Sequence, residues 1–274
     1  MSIGSITLSA SARANLTALT STNTLLGSTQ EALSTGKTVN SASDNAVAYF
    51  ASAGFLNSAN GLNTIKNSIS TALQAVNSFD NSISDVTSVI TQLQGLTTQA
   101  LGTTNTTTRA GLASQFNALT TQLDLLVNDA TFNGTNLLNS TSASLVVYFN
   151  AANTTALTIT GVNITSAGLM TTVTAGSTWA GATDIQASAS FLLTALSTLS
   201  TDAASFGGNS TLLQTRQDFT SNLINSLQTA SSNLVTADTN VEGANLQALQ
   251  AQDQLGVVAL GVSGTMAQAI LRIL

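Results

Sequence analysis

The sequence predicts a mainly α protein: an elongated rod of long antiparallel heptad-repeat helices, with a small β-hairpin element at the far end and the N- and C-terminal helices paired as a coiled coil at one tip. Three observations carry that expectation. The chain of 274 residues contains no proline, the residue that stops helices by removing an N–H donor and clashing with the preceding turn. Apolar residues recur at intervals of seven through most of both halves, the spacing of a coiled-coil seam. Between the halves lies a β-branched, alternating stretch of different character.

The elements follow in chain order. Ala12, Leu19, Leu26 and Leu33 make the first heptad series, in an N-terminal arm. The polar patch LSTGKTVNSASDNAVAYF, residues 33–50, interrupts it. Gly36 is placed to end the arm's helix, as a glycine just past a helix commonly does. Ser41 with Asp44 three residues later has the capping-box pattern that opens the next helix. Phe55, Leu62, Ile69, Val76, Ile83 and Ile90 then fall seven apart, shadowed by Ile65, Ala72, Phe79, Val86 and Leu93. One helix from about Asp44 to Ala100 would be roughly 85 Å long at 1.5 Å per residue. A compact globule of this size cannot hold it, so the sequence predicts a rod.

LGTTNTTTRAG supplies a turn, and Leu112, Phe116, Leu119, Leu123 and Leu126 mark a shorter helix ending near Asn128. The pair Asn133-Gly134 is a tight-turn signal. SLVVYFN and ALTITGVNI, within residues 140–182, read as one or two β-hairpins. Heptads return with Ile185, Leu192, Leu199, Phe206, Leu213, Leu227, Leu234, Val241, Ala248, Leu255, Val262 and Ala269, with Thr220 the polar member of the register. FGGN at 206–209 is expected to interrupt the helix without losing phase. Ala259, Met266 and Ile273 are expected to complete the last seam.

Composition narrows the function. Only 7% of residues are charged, against about 25% in ordinary soluble chains. Copies of such a surface repel one another weakly, which suits self-association. The net charge is −6 and the six Lys/Arg are scattered, so there is no electrostatic footprint for nucleic acid. No cysteine and no histidine occur, which removes disulfides, thiolate chemistry, the commonest general base and the commonest metal ligand. The carboxylate pairs Asp80/Asp85 and Asp124/Asp129 are five apart and do not share a helix face. FGGN lacks the Lys-Ser/Thr of a phosphate loop. Neither an enzyme, a metal site nor a cofactor is expected. Residues 254–271 carry no charge, but Gln254, Ser263, Thr265 and Gln268 interrupt them, so membrane insertion is not expected. The opening MSIGSITLSASARANLTALT lacks the basic and apolar regions of a cleavable secretory signal. The expectation is a cytoplasmic chain, or one exported by a route that reads no such signal.

LSTGKTVNSASDNA resembles the N-terminal signature of bacterial flagellin, through Leu33, Ser34, Gly36, Val39, Asn40, Ser41, Ala42 and Asp44. TFNGTNLL, 131–138, is similar to that family's Phe-Asn-Gly turn. NLVTADTNVEGANLQALQAQDQLGVVAL, 233–260, resembles its C-terminal signature, with Ala237, Asp238 and Glu242 in place. The resemblance covers roughly residues 1–140 and 185–274, and the chain looks like a short form without large outer domains. It implies a secreted, extracellular filament subunit for motility that polymerises with itself. Export would be unfolded, with a flagellar export chaperone and hook-associated or cap proteins as partners. Residues 1–40 with 239–274 would be terminal arms forming the inner layer. Residues 41–140 with 183–238 would form a helical rod domain, and 141–182 a variable β-hairpin segment.

Within that frame, Leu19, Leu26, Leu33, Leu255, Val262, Met266 and Ile273 are the candidate polymerisation residues, because the arms expose seams that one short rod cannot bury. Gly36, Asn40, Ser41, Asp44, Asp238 and Glu242 are the candidate inter-layer joint. The resemblance also implies a patch read by a Toll-like innate receptor, altered here to Gln92, Gln94 and Gly95, and hence weak detection. A basic residue is usual where Thr38 stands, so a salt bridge there is lost or passes to Lys37. Several sequons, Asn139, Asn153 and Asn163 among them, match by chance in so Thr-rich a chain, and exposed Ser/Thr from Ser144 to Thr178 are the natural place for O-linked sugar. Two rivals remain at this point. The hook–filament junction protein has similar ends but forms a ring of limited size. A membrane-tethered signalling coiled coil would use 254–271 as its anchor and would partition into detergent.

Overall fold

The computed structural model describes residues 9–169 and 178–273. The chain is mainly α, with long helices and, among the described residues, one small antiparallel sheet. In order, the elements are α1 (Ala10–Thr35), α2 (Ala46–Leu101), α3 (Thr106–Asp129), β1 (Ser144–Tyr148), β2 (Ala156–Thr160), α4 (Ser166–Leu169), α5 (Ala182–Val235) and α6 (Thr239–Ile273). They fall into two compact units, Met1–Ser58 with Asn225–Leu274, and Ala59–Ile224.

The second unit, Ala59–Ile224, holds a continuous hydrophobic core. From α2 it takes Ile69, Val76, Ile83 and Ile90 together with Ile65, Ala72, Phe79, Val86 and Leu93, all buried. These are the two heptad series of the sequence without their first members Phe55 and Leu62, which are half-buried, and they form one face of one helix. Leu112, Phe116 and Leu123 of α3 join them, with Ile185, Leu192, Leu199, Phe206 and Leu213 of α5. Here α2 and α5 run antiparallel: Phe79 packs on Phe206 with ring centroids 6.3 Å apart, and Ser210 hydrogen-bonds Asn77 at 3.0 Å. Thr220, the polar member of the register, is buried and returns its hydroxyl to the Arg216 carbonyl at 2.8 Å. Its polar group is thereby satisfied within its own helix.

The breaks between these helices have local causes. Asn105 caps α3, its side-chain oxygen accepting from the N–H groups of Thr107 (2.9 Å) and Thr108 (3.1 Å). Arg109 is buried, and its Nε donates to the carbonyls of Ala100 (3.1 Å) and Thr103 (2.8 Å). A charged donor thus satisfies carbonyls where α2 ends. Asn133 and Gly134 both have positive φ, 49° and 77°, between the reciprocal hydrogen bonds of Phe132 and Thr135. That is the backbone a two-residue hairpin turn requires.

β1 and β2 pair antiparallel, Ser144 opposite Thr160 and Tyr148 opposite Ala156. Among its described residues the middle segment holds one hairpin, its Val147 and Ile159 turned into the core. Asp124 of α3 fastens the chain beyond it, accepting from the N–H and the hydroxyl of Ser166, each at 2.7 Å. Trp179 is buried against Phe116, ring centroids 5.1 Å apart in an edge-on arrangement.

One expected break is absent. α5 is a single helix through Gly207 and Gly208. Two glycines cost a helix about 2 kcal/mol relative to alanine, and the buried Phe206 and Leu213 on either side hold it through packing.

Candidate functional site

The first unit, Met1–Ser58 with Asn225–Leu274, carries the terminal arms and the residues that join them to the chain. α1 and α6 pack antiparallel: the Asn15 amide donates to Ser263 Oγ at 3.4 Å, and Leu19 lies against Gly256. On α1 the partly or fully covered face is Ala12, Asn15, Leu19, Thr22, Leu26, Thr29 and Ala32. Leu19 and Leu26 lie on it as the heptads predict. Leu33 is 37% exposed, and Ala32 takes the covered position beside it.

On α6 the covered face is Leu246, Leu249, Asp253, Gly256, Leu260 and Ser263. That is a correction to the sequence reading, which placed the seam one residue away, on Val241, Ala248, Leu255 and Val262. The shift is already made within α5, where Leu234, the heptad member, is 37% exposed and Val235 beside it is buried: an α-helix turns once in 3.6 residues, so a strict count of seven drifts by about 20° per heptad. Leu255, Val258 and Met266 are 69%, 63% and 64% exposed, and Val257 and Val262 are also exposed. The most apolar side of α6 points away from its partner within the chain. Its covered side holds Asp253, Gly256 and Ser263 among three leucines. Ile273 closes α6, and its side chain lies outside the described residues.

The joint is built by two short strands of backbone. α1 ends at Gly36 in the left-handed region, φ 69°, where glycine has no steric penalty. The Ala237 N–H then donates to the Gly36 carbonyl at 2.9 Å, and the Thr38 N–H donates to the Val235 carbonyl at 2.8 Å. Lys37 and Thr236 form an isolated antiparallel bridge. Thr38, in the place where a basic residue was expected, adds its hydroxyl to the Val235 carbonyl at 3.3 Å. Val39, Val235 and Ala237 are buried beneath. Val39 is a member of the N-terminal signature, whereas Val235, one apolar residue at a helix end, was not singled out in the sequence.

Asp44 organises the turn between the arm and α2. Its Oδ2 accepts from the N–H groups of Asn40 (2.9 Å) and Ser41 (2.8 Å) and from the Ser41 hydroxyl (3.2 Å). Those backbone hydrogen bonds, Ser41 first and then Asn40, hold the carboxyl below its ordinary 3.8. Ser41 is not the helix cap that its spacing to Asp44 predicts. The pair closes a turn over 41–44, and Asn45 caps α2, its side chain accepting from Ala48 N–H at 3.1 Å. Asn40 also donates its side-chain amide to the Lys37 carbonyl at 3.2 Å.

Asp238 caps α6. Its Oδ1 accepts from the N–H groups of Asn240 (3.0 Å) and Val241 (3.2 Å), and Glu242 stands in the first turn. A carboxylate is favoured at both places by the partial positive charge of a helix N-terminus. Gly36 and Asp238 thus lie on the two sides of one backbone bridge. Asn40, Ser41 and Asp44 form the turn that leads out of it.

Gln92 and Gly95 are exposed on α2 and Gln94 is half-buried, in the other unit. Among the described residues, no cluster of three acidic side chains could hold a metal. Likewise, no helix there is long and apolar enough to cross a membrane.

Residues 6–143 match the family described as the bacterial flagellin N-terminal helical region. Over 278 residues, 99% of this chain and 98% of the relative, the chain is 31% identical to flagellin FljM of Caulobacter vibrioides. A flagellin of Brucella melitensis is 30% identical over 290 residues, 98% of each chain. Flagellin C of Rhizobium meliloti is 27% identical over 319 residues, again 98% of each.

Proposed function

The chain belongs to the bacterial flagellin family and is a structural subunit of the flagellar filament, and on that premise we propose that it polymerises through the outward face of its terminal arms. One observation carries this reading: Leu255, Val258, Val262 and Met266 stand exposed on α6, opposite the side that meets α1. An apolar stripe of this kind on a surface poor in charge marks an interaction site. A helical polymer would cover it through the same contact repeated from subunit to subunit. Leu19 and Leu26 would hold α1 on α6, while Leu33 and Ile273 would extend the contact at the two ends of the arm pair.

In this reading residues 1–40 and 239–274 make the inner layer of the filament, 41–140 with 183–238 the rod domain, and 141–182 the variable segment. Gly36, Asn40, Ser41, Asp44, Asp238 and Glu242 form the joint between the layers. The subunit acts outside the cell, catalyses nothing, leaves unfolded with a flagellar export chaperone, and adds beneath cap and hook-associated proteins. The absence of proline and cysteine suits that route, since neither prolyl isomerisation nor disulfide exchange can delay refolding. Gln92, Gln94 and Gly95 replace the charged patch read by a Toll-like receptor, so this flagellin activates it weakly. Full-strength activation in a reporter-cell assay would overturn that point.

The test of polymerisation is seeded reassembly of acid-dissociated protein at neutral pH, imaged by negative stain. Long tubes are expected from the wild type. Val262→Asp should leave the monomer folded and stop elongation, because an unpaired carboxylate would be buried in the contact. A variant that elongates like the wild type would remove this face from the interface. Short rings from the wild type would instead favour the junction protein.

A further inference from the structure

Ser52 of α2 and Ser231 of α5 meet inside the first unit, and both are buried. Their hydroxyl oxygens are 2.7 Å apart, and the Ser231 hydroxyl donates to the Ser52 carbonyl at 3.1 Å. Ser231 thus spends its proton on that carbonyl, and the Ser52 hydroxyl donates to Ser231 Oγ. The Ser52 hydroxyl therefore depends on Ser231, and a buried hydroxyl without a partner is costly, whereas Ser231 keeps the carbonyl of residue 52. Large apolar groups are sparse beside the pair: Phe55 and Leu227 are half-buried and Leu234 is exposed, with Val235 buried one turn further on. A buried polar pair differs from such contacts in being satisfied in one register alone.

Register matters here because of what lies one helical turn away. Val235, four residues after Ser231, offers its carbonyl to the N–H groups of Thr38 (2.8 Å) and Val39 (3.4 Å). At the other end of the linker, Asn45 caps the helix that carries Ser52. Residues 39–45 therefore run from a point fixed on α5 to a point fixed on α2. A slip of α2 by one turn, about 5.4 Å, would break one anchor or the other.

We propose that Ser52 and Ser231 are a positioning pair: they set the axial register of α2 against α5, and through it hold Gly36–Asp44 in place against Val235–Ala237. Both side chains are buried within the chain itself. The pair's role in the filament rests on the reading of that segment as the inter-layer joint.

The alternative is a satisfied core contact with no effect beyond stability, and one experiment separates the two. The full chain is prepared as monomer in the wild-type form and as S52A, S231A and the double variant. Amide hydrogen exchange is followed at Thr38 and Ala237, whose N–H groups close the joint, alongside the urea midpoint. In the single variants exchange at both amides should rise by about tenfold, the factor that one buried hydrogen bond is worth. S231A leaves the Ser52 hydroxyl without its acceptor and the double variant does not, so the double variant's midpoint should recover relative to S231A while exchange at Thr38 and Ala237 stays fast. Recovery of exchange together with the midpoint, or no change at those amides in any variant, overturns the proposal. Seeded reassembly of the same samples tests the joint separately. Fast exchange with failed elongation supports both assignments. Fast exchange with wild-type filaments supports the register role and removes the joint from assembly.

Discussion

Asp44 is exposed, yet its carboxylate closes a turn through the N–H groups of Asn40 and Ser41, and those bonds depress its pKa below 3.8. A depressed carboxyl stabilises the fold above its unfolded pKa and loses that contribution as pH falls through the lower, folded value. The turn should therefore persist through the mildly acidic range and open only below 3.8. Asp44→Asn should lower Tm at neutral pH, and its difference from wild type should close in that acid window, as read by thermal melts across pH. Asp202 has the opposite sign. Desolvation by burial raises its pKa above 3.8, on a position of α5 between the core residues Leu199 and Phe206. A raised carboxyl favours folding while protonated and loses that advantage as pH rises through its folded pKa. Asp202→Asn should thus raise Tm at pH 7, with the gain shrinking to nothing as pH falls toward 3.8. A gain independent of pH would point to packing in place of charge.

Among the elements, α6 is the one whose two faces make different demands. A Cβ on Gly256 would stand 2.9 Å from Leu19 Cδ1, whereas one on Gly261 would meet nothing within 4 Å. Gly261→Ala should therefore stabilise the monomer by about 1 kcal/mol, the helix-propensity difference. Gly256→Val should cost roughly 1–3 kcal/mol by forcing Leu19 out of the interface. Urea unfolding followed by circular dichroism checks both, and equal effects would mean that α1 does not seat on Gly256. This element also shows what the sequence could and could not reveal. The α2 seam was legible because Ile and Val repeat along one uninterrupted helix, from Ile69 to Ile90. The phase of α6 was not, because the covered face has already moved by one residue before α5 ends, with Val235 buried and Leu234 exposed, as a strict count of seven drifts by about 20° per heptad. Gly36 and Asp238 were legible as helix punctuation, since a left-handed stop and a cap are local chemistry. Ser41 was misplaced as a cap because a turn and a helix start use the same residues, and Asn45 next door won the helix. The setting of Trp179 against Phe116 joins positions far apart in the chain, with no periodic link between them.

At the scale of the whole molecule, the two units differ in what holds them. The unit Ala59–Ile224 is built on fully buried Ile, Val, Leu and Phe from several elements. The arms in the other unit meet across Asn15, Thr22, Thr29, Asp253 and Ser263 as well as leucine, with only Ala12, Thr29 and Ala32 of α1 buried. Ordering a residue costs about 1–2 kcal/mol of backbone entropy, so apolar burial this thin leaves the arms near the low end of local stability. The free subunit should accordingly lose α1 and α6 before its core. Amides of those helices should exchange faster than those of Ile83 or Leu199, and calorimetry should show a weak early transition ahead of the main one. Polymerisation changes the comparison, because a contact made only by the folded arm stabilises it by mass action. In the filament the early transition should move up toward the main one and α6 amides should become protected, while exchange at Ile83 and Leu199 changes little. The size of that shift should also follow Leu255, Val262 and Met266: polar substitutions there should leave the monomer's early transition in place and shrink only the gain on assembly. If the free subunit melts in one step with α6 as protected as α2, the arms are stable alone, and the exposed stripe is not what completes them.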